Sequence, residues 1–229
     1  ATIEQEFAAA EQDGFAAETL EAPEIYRRWP NFGPGIRRGL WLPDEAIVDP
    51  FSTPYAYALD ALANGVEIRR GWPVQEAERG GGMWTLRSGT GTLQAKVVVN
   101  AGGLRADGVE KLAGFGDFEI RPRRGQYILL DKPARALHDV IAMPVPTPVT
   151  RGILITPTIF GNVLVGPTAE DVADRDDRRV TDAGLAQLRQ AMATMVPALL
   201  SQPVNTVFAG MRPATQFRDY QIIQRVEQG

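Results

Sequence analysis

The sequence predicts an α+β chain of α/β-like character: a large mixed, mainly antiparallel sheet joined to part of a Rossmann-like nucleotide-binding unit. Three observations lead there. Residues 97–107, VVVNAGGLRAD, set consecutive β-branched valines ahead of a glycine turn. That is the pattern of a strand covered on both faces that runs into backbone a dinucleotide can approach closely. The usual companion of such a strand, a G-x-G-x-x-G turn between a strand and a helix, is missing. Gly80-Gly81-Gly82 sits in a polar hairpin with no helix after it, and Gly89-Thr90-Gly91 lacks the third glycine. The second half has short apolar runs separated by turn residues and one strong helix signal, which suggests a wide sheet rather than repeated βα units.

Taken in order, residues 3–12 read as a helix that starts abruptly, as though cut from a longer one. YRRWPNFGP, residues 26–34, reads as irregular, and residues 40–42 as a short strand. Ser52 or Thr53 can cap a helix with Pro54 in its first turn, Ala58, Leu59 and Leu62 on one face, and Asn64-Gly65 as its stop. A strand over 66–70 is expected next, then an antiparallel set over 74–78, 84–88 and 92–99 turning at GGG and SGTG, with 97–100 closing the unit. In the second half, 120–131, 140–144, 152–158 and 162–167 read as strands, the last two joined by Phe160-Gly161-Asn162. Thr181-Asp182 caps a helix carrying Leu185, Leu188, Met192 and Met195, which Pro197 ends, and strands over 204–211 and 219–224 complete the sheet.

Composition narrows the function classes. The 229 residues are 44% hydrophobic and 23% charged with net charge −4, enough for one large domain or two small ones. With no cysteine and one histidine, disulfides, thiolate metal sites, a cysteine nucleophile, an imidazole-rich metal site and a serine triad are all disfavoured. No metal site is expected. The single His138, beside Asp139, reads as a surface residue, and the acidic pairs Glu170-Asp171 and Asp176-Asp177 as a solvated loop. A mildly acidic chain lacks the basic stripe of a nucleic-acid binder. No apolar run reaches the roughly 20 residues of a membrane span, and the first residues lack a signal-peptide pattern. A cytoplasmic location is expected, with peripheral attachment at the inner face of the membrane left open.

Six phrases in order carry a resemblance: LWLPDEAIVDPF (40–51), VVVNAGGLRAD (97–107), IRPRRGQYILLD (120–131), GILITPTIFGNVLVGPTAED (152–171), FAGMRPAT (208–215) and RDYQI (218–222). Together they resemble the FAD-dependent oxidoreductases that include D-amino-acid oxidase, glycine oxidase, L-2-hydroxyglutarate oxidase and glycerol-3-phosphate dehydrogenase. The resemblance implies the central part of such an enzyme, lying between the N-terminal flavin turn and a C-terminal flavin segment. Residues 1–110 would then hold partial FAD-binding elements interleaved with substrate-domain segments, and 111–229 the substrate-binding antiparallel sheet. Val74, through its backbone, and Ala101, Gly102 and Gly103 would meet the adenosine half of FAD. Without the pyrophosphate site at a helix N-terminus, the chain by itself is expected to bind no FAD tightly.

Oxidising a secondary alcohol requires a hydride acceptor, a base for the hydroxyl proton and a cationic clamp for an anionic end of the substrate. Arginine suits the clamp because its planar fork binds carboxylate or phosphate through paired hydrogen bonds. By resemblance Arg212, expected just after a strand with Pro213 fixing the turn, holds the anion, and Arg218 in RDY supplies a second guanidinium suited to a dianion; paired with Asp219 or solvated, it would have no such role. Tyr127 stands where several glycerol-3-phosphate dehydrogenases have a histidine, and Gly125-Gln126-Tyr127 is closer to the RGEYY of the hydroxyglutarate oxidases. A phenol of ordinary pKa, about 10, is a poor base but can hydrogen-bond a hydroxyl or an anion. Tyr127 is therefore the candidate catalytic residue, with a half-buried strand aromatic as its plain reading, and the base is unassigned. Of Arg121, Arg123 and Arg124, alternation puts the first two on one face and the third on the other.

The expected activity is oxidation of sn-glycerol 3-phosphate to dihydroxyacetone phosphate in the intact protein, with the electron acceptor open. The alternatives are oxidation of a 2-hydroxy acid such as L-2-hydroxyglutarate, oxidation of an amino acid, and a stable domain without activity.

Overall fold

The computed structural model describes residues 2–146, 152–217 and 221–225. In chain order the elements are α1 (Ile3–Gln12), β1 (Glu18–Glu21), α2 (Ala22–Arg28), β2 (Arg38–Trp41), α3 (Ser52–Ala63), β3 (Glu76–Gly80), β4 (Met83–Ser88) and β5 (Gly91–Ala95). There follow α4 (Ala106–Leu112), β6 (Arg121–Leu130), β7 (Leu154–Pro157), β8 (Val163–Gly166), β9 (Glu170–Asp171), α5 (Asp182–Met195) and β10 (Val204–Ala214). The chain weaves between two compact units, the first made of Ala1–Tyr55, Arg124–Glu170 and Arg178–Gly210, the second of Ala56–Arg123, Asp171–Asp177 and Met211–Gly229.

The first unit is built on a sheet ordered β10-β6-β8-β7, with antiparallel pairing of β6 with β8 and of β7 with β8. Its inward residues Ile128, Leu130, Ile155, Val163 and Val165 meet Leu188 and Met192 of α5 and the turn residues Val196 and Leu199 in one buried cluster. Helix α5 forms there for local reasons as well. Thr181 Oγ1 accepts from the Gly184 amide at 3.1 Å, satisfying a first-turn donor, and a turn beginning at Pro197 ends the helix. Each fully buried Leu or Ile contributes about 1.5–3 kcal/mol, which adds to the high helix propensity of a segment rich in Ala, Leu, Gln and Met.

The expected irregular stretch at 26–34 begins inside a helix. Pro23 stands in the first turn of α2, and Glu24 pairs with both Arg27 and Arg28, local devices that outweigh its short length. The loop after it is pinned from two sides: Tyr26 donates to the Gly33 carbonyl at 2.9 Å, and the Gly33 amide donates to the Met195 carbonyl at the end of α5 at 2.7 Å. A Cβ on Gly33 would lie 2.0 Å from the Thr194 carbonyl oxygen, a backbone atom. Gly33→Ala is accordingly expected to destabilise the protein by about 2–3 kcal/mol, read as a lower urea midpoint. An unchanged midpoint would mean that this loop can leave α5 without loss.

His138 is not on the surface. Only 4% of it is exposed, its Nε2 lies 3.1 Å from the Ile155 carbonyl, and its ring meets Phe32 edge-on at 5.7 Å. Burial pushes its pKa below the usual histidine value. The missed signal was the apolar run on both sides of it, which the neighbouring Asp139 obscured.

In the second unit β3, β4 and β5 form an antiparallel meander. Gly80 pairs with Met83, leaving Gly81 and Gly82 as a two-residue turn at φ 59° and 77°, a conformation that favours glycine at both positions. The β5 strand stops at Ala95, however, and residues 97–100 are in no strand. Val97 and Val99 are 75% and 83% exposed, the reverse of the doubly covered strand expected. β-Branched residues favour extended backbone but cannot hold a ladder without a neighbouring strand, and none of the described residues pairs with these. Helix α3 forms where the cap and stop residues place it, yet none of its residues is buried. Residues 66–70 carry no strand, 140–144 contribute only a bridge from Ala142 to Ile155, and of the expected strand at 219–224 the residues 221–224 are in no regular element, while 219 and 220 lie outside the described residues. No helix among the described residues is long and apolar enough to cross a membrane.

Candidate functional site

The alternation of β6 sorts its side chains as the sequence predicts. Arg124 is buried and donates to Glu170 at 2.8 Å, while Arg121 is exposed and Arg123 half-buried. Arg123 holds Asp171 through two hydrogen bonds of 2.6 and 3.1 Å, which keeps that carboxyl below its usual range. The acidic pair at 170–171 is exposed to solvent, as expected, but lies in the short strand β9 and pairs with Arg124 and Arg123. Asp176 likewise receives Arg105 at 2.6 Å.

Gln126, fully buried, is a structural hinge pin that sequence reading overlooked. Its Oε1 accepts the Thr181 amide at 2.7 Å and its Nε2 donates to Thr181 Oγ1 at 3.1 Å, tying β6 to the cap of α5. Gly184 keeps room for it, since a Cβ there would meet the Gln126 amide group at 2.4 Å. A glutamine next to a glycine carries no such signal by itself; only the long-range partner at 181 reveals it.

Tyr127 points away from that clamp and is half-buried. Its ring stacks on Phe208 of β10, centroids 4.9 Å apart and planes 14° from parallel. On the neighbouring strand β8, Gly166 has φ 142°, and a Cβ on it would stand 2.5 Å from Tyr127 Cδ1. The tyrosine is thus set between residues of both flanking strands.

Arg212 lies within β10, not after it: the strand continues through Pro213 to Ala214. Proline lacks the amide for a ladder bond, so a strand accepts it where that amide needs no partner. Arg212 is exposed, and among the described residues it makes no ion pair, in contrast to Arg123, Arg124 and Arg175. A guanidinium of that kind is available to an anion. Arg218 lies outside the described residues.

In the second unit the turn at Ala101, Gly102 and Gly103 is exposed, with Gly103 at φ 54° and open space where a side chain would stand. Asn100 clasps it, accepting from the Gly102 amide at 3.2 Å and donating to the Ala106 carbonyl at 2.8 Å. Val74 is half-buried and immediately precedes the first ladder bond of the meander, Gln75 N to the Arg87 carbonyl at 2.8 Å. Beneath the turn, Asp107 is buried at 2% exposure and takes two bonds from Arg175, at 2.5 and 2.6 Å, and one from the Ile120 amide at 3.1 Å. Arg175 also donates to the Leu104 carbonyl at 2.7 Å. The guanidinium and the amides hold the Asp107 carboxyl well below the usual carboxylate range.

Residues 1–229 match the family of FAD dependent oxidoreductases (DAO). The chain belongs to that family. Among its relatives, a glycerol 3-phosphate dehydrogenase of Caloramator mitchellensis is 33% identical over 208 residues, covering 91% of this chain and 43% of that protein. A glycerol 3-phosphate oxidase of Mycoplasma pneumoniae is 30% identical, covering 86% of the chain and 52% of the relative. The solved L-alpha-glycerophosphate oxidase of M. pneumoniae with FAD bound superposes with a TM-score of 0.77 at 29% identity, over 88% of this chain and 54% of that one. This family member thus spans about half the length of the curated relatives it matches. Its mixed α/β architecture with antiparallel sheets is that of the solved flavoenzymes.

Proposed function

We propose that the complete protein oxidises sn-glycerol 3-phosphate to dihydroxyacetone phosphate with FAD as cofactor. The observation that carries this reading is the identity of 30–33% to proteins named for glycerol 3-phosphate oxidation. The exposed Arg212, free of ion pairs among the described residues, supports it from the side of substrate chemistry.

The bare turn at Ala101, Gly102 and Gly103 fits a group that must approach backbone closely, since Gly103 presents open space in place of a side chain. With the backbone of Val74 it would hold the adenosine half of FAD. FAD supplies, when bound, the acceptor for the hydride that leaves the substrate carbon. Arg212 binds the anionic end of the substrate through its fork, and Arg218 adds a second guanidinium suited to a dianion. The Tyr127 hydroxyl donates a hydrogen bond to the reacting oxygen. A second reading, oxidation of a 2-hydroxy acid, draws on the tyrosine of Gly125-Gln126-Tyr127 at the place of a histidine.

Turnover of the flavin-loaded complete protein on glycerol 3-phosphate, L-2-hydroxyglutarate and glycine separates these. The proposal expects kcat/KM to be highest for the phosphate. A preference for the hydroxy acid would transfer the assignment to the second reading.

A further inference from the structure

We infer that Asn100 is a positioning residue for the cofactor turn: its side chain sets where the backbone of Gly102 and Gly103 is presented to FAD. The inference rests on the proposed contact of that turn with FAD, and goes beyond it by assigning a residue that acts through the turn rather than on the cofactor.

Three observations, all within the second unit, support it. First, the Asn100 amide is bonded at both ends. Its Oδ1 accepts from the Gly102 amide at 3.2 Å, while its Nδ2 donates to the Ala106 carbonyl at 2.8 Å and, more weakly, to Glu110 Oε2 at 3.5 Å. One orientation satisfies these partners, because a flipped amide would set its oxygen against a carbonyl and a carboxylate. Glu110 is itself held, since its other oxygen takes Arg225 at 2.7 Å. Second, the two glycines answer to different neighbours. A Cβ on Gly102 would stand 3.2 Å from both Asn100 Oδ1 and Ala106 Cα, so glycine there lets the asparagine close the loop. A Cβ on Gly103 would meet nothing within 4 Å, which leaves that side open to a ligand. Third, the turn is fastened at both ends by different devices. On the exit side the Gly102 carbonyl takes the Arg105 amide at 2.9 Å, and the Leu104 carbonyl takes Arg175 at 2.7 Å. On the entry side, among the described residues, the backbone of 97–101 makes no hydrogen bond and the hold is the Asn100 side chain. Groups that meet a ligand through backbone must be held to within about 0.5 Å, and here the asparagine does that.

The test titrates FAD into the FAD-free complete protein and follows flavin fluorescence. Asn100→Ala should raise the Kd for FAD about tenfold. Asn100→Asp keeps an acceptor for the Gly102 amide but sets a carboxylate against the Ala106 carbonyl and Glu110, so the Kd should rise at least as much. Adding Glu110→Gln to Asn100→Asp removes the like charge and supplies a donor, and should recover at least about threefold. Glu110→Gln by itself should change the Kd by less than about twofold. A residue that served the fold alone would lower the urea midpoint of the FAD-free protein without moving the Kd measured in the absence of urea. Gly103→Asn tests the turn itself: asparagine tolerates the left-handed backbone, and its side chain would fill the open space, raising the Kd at least about tenfold.

A Kd within about twofold of the parent in Asn100→Ala would overturn the inference, whatever the urea midpoint does. So would a loss in Asn100→Asp that Glu110→Gln leaves untouched. If Gly103→Asn leaves the Kd unchanged, the turn does not meet FAD, and that reading fails together with the inference. If Gly103→Asn raises the Kd but Asn100→Ala does not, only the inference fails.

Discussion

Asp107→Ala is expected to cost about 3 kcal/mol of stability, the largest effect of any single substitution outside the hydrophobic cluster. The carboxylate is buried and makes four hydrogen bonds, two to Arg175 and one each to the amides of Ile120 and Gly108. Removing it leaves the amides of Ile120 and Gly108 without their acceptor and the Arg175 guanidinium with the Leu104 carbonyl but without this carboxylate, and breaking a buried pair from one side costs about 3–5 kcal/mol. The lower end applies because the Arg175 side chain is 26% exposed and can recover some hydration. Urea unfolding of Asp107→Ala, Arg175→Ala and the double variant should give a coupling of at least about 1 kcal/mol; additive losses would mean the pair does not act as a unit. The same geometry sets an acid limit. The folded pKa of Asp107 lies below its unfolded value of about 3.9. The unfolded chain therefore takes up the proton first, so this contribution is fully present above about pH 5 and is lost as pH falls through the unfolded and then the folded pKa. Asp107→Ala should flatten the fall in stability below pH 4, and an equally steep fall would count against the assignment.

Arg212→Ala should leave folding intact and reduce kcat/KM for glycerol 3-phosphate by about two to four orders of magnitude. Two charge-assisted hydrogen bonds to a phosphate contribute about 1.5–3 kcal/mol each, and in the folded protein the side chain is exposed and makes no ion pair among the described residues. Lysine keeps the charge but not the fork, so Arg212→Lys should recover about tenfold. Arg121→Ala removes another exposed guanidinium and serves as the comparison, with an expected change below about threefold. Equal losses at 121 and 212 would reduce the role of Arg212 to general electrostatic attraction. A loss of kcat/KM accompanied by a lowered urea midpoint would assign Arg212 to the fold instead.

The sequence made local signals plain and long-range ones invisible. Thr181, the spaced Leu188 and Met192, and Pro197 mark α5 within a few residues of its limits. The glycine turns mark the hairpins of β3, β4 and β5 because backbone at φ 59° and 77° needs glycine. What failed depended on a neighbour. Val97, Val98 and Val99 have strand propensity, but propensity becomes a strand only where another strand offers hydrogen bonds. The histidine at 138 looked superficial because its partners, Phe32 and the Ile155 carbonyl, are remote in sequence. The candidate site divides in the same way: Arg212 and Tyr127 are proposed from the phrases that contain them, whereas the contacts of Tyr127 with Phe208 and Gly166 and the Asp107–Arg175 pair run across strands and loops.

The most direct test of the account is anaerobic mixing of the flavin-loaded complete protein with glycerol 3-phosphate while the visible absorbance of the flavin is followed. The absorbance should bleach, and dihydroxyacetone phosphate should appear in equal amount to the flavin reduced. An absorbance unchanged by glycerol 3-phosphate but bleached by L-2-hydroxyglutarate or glycine would contradict it.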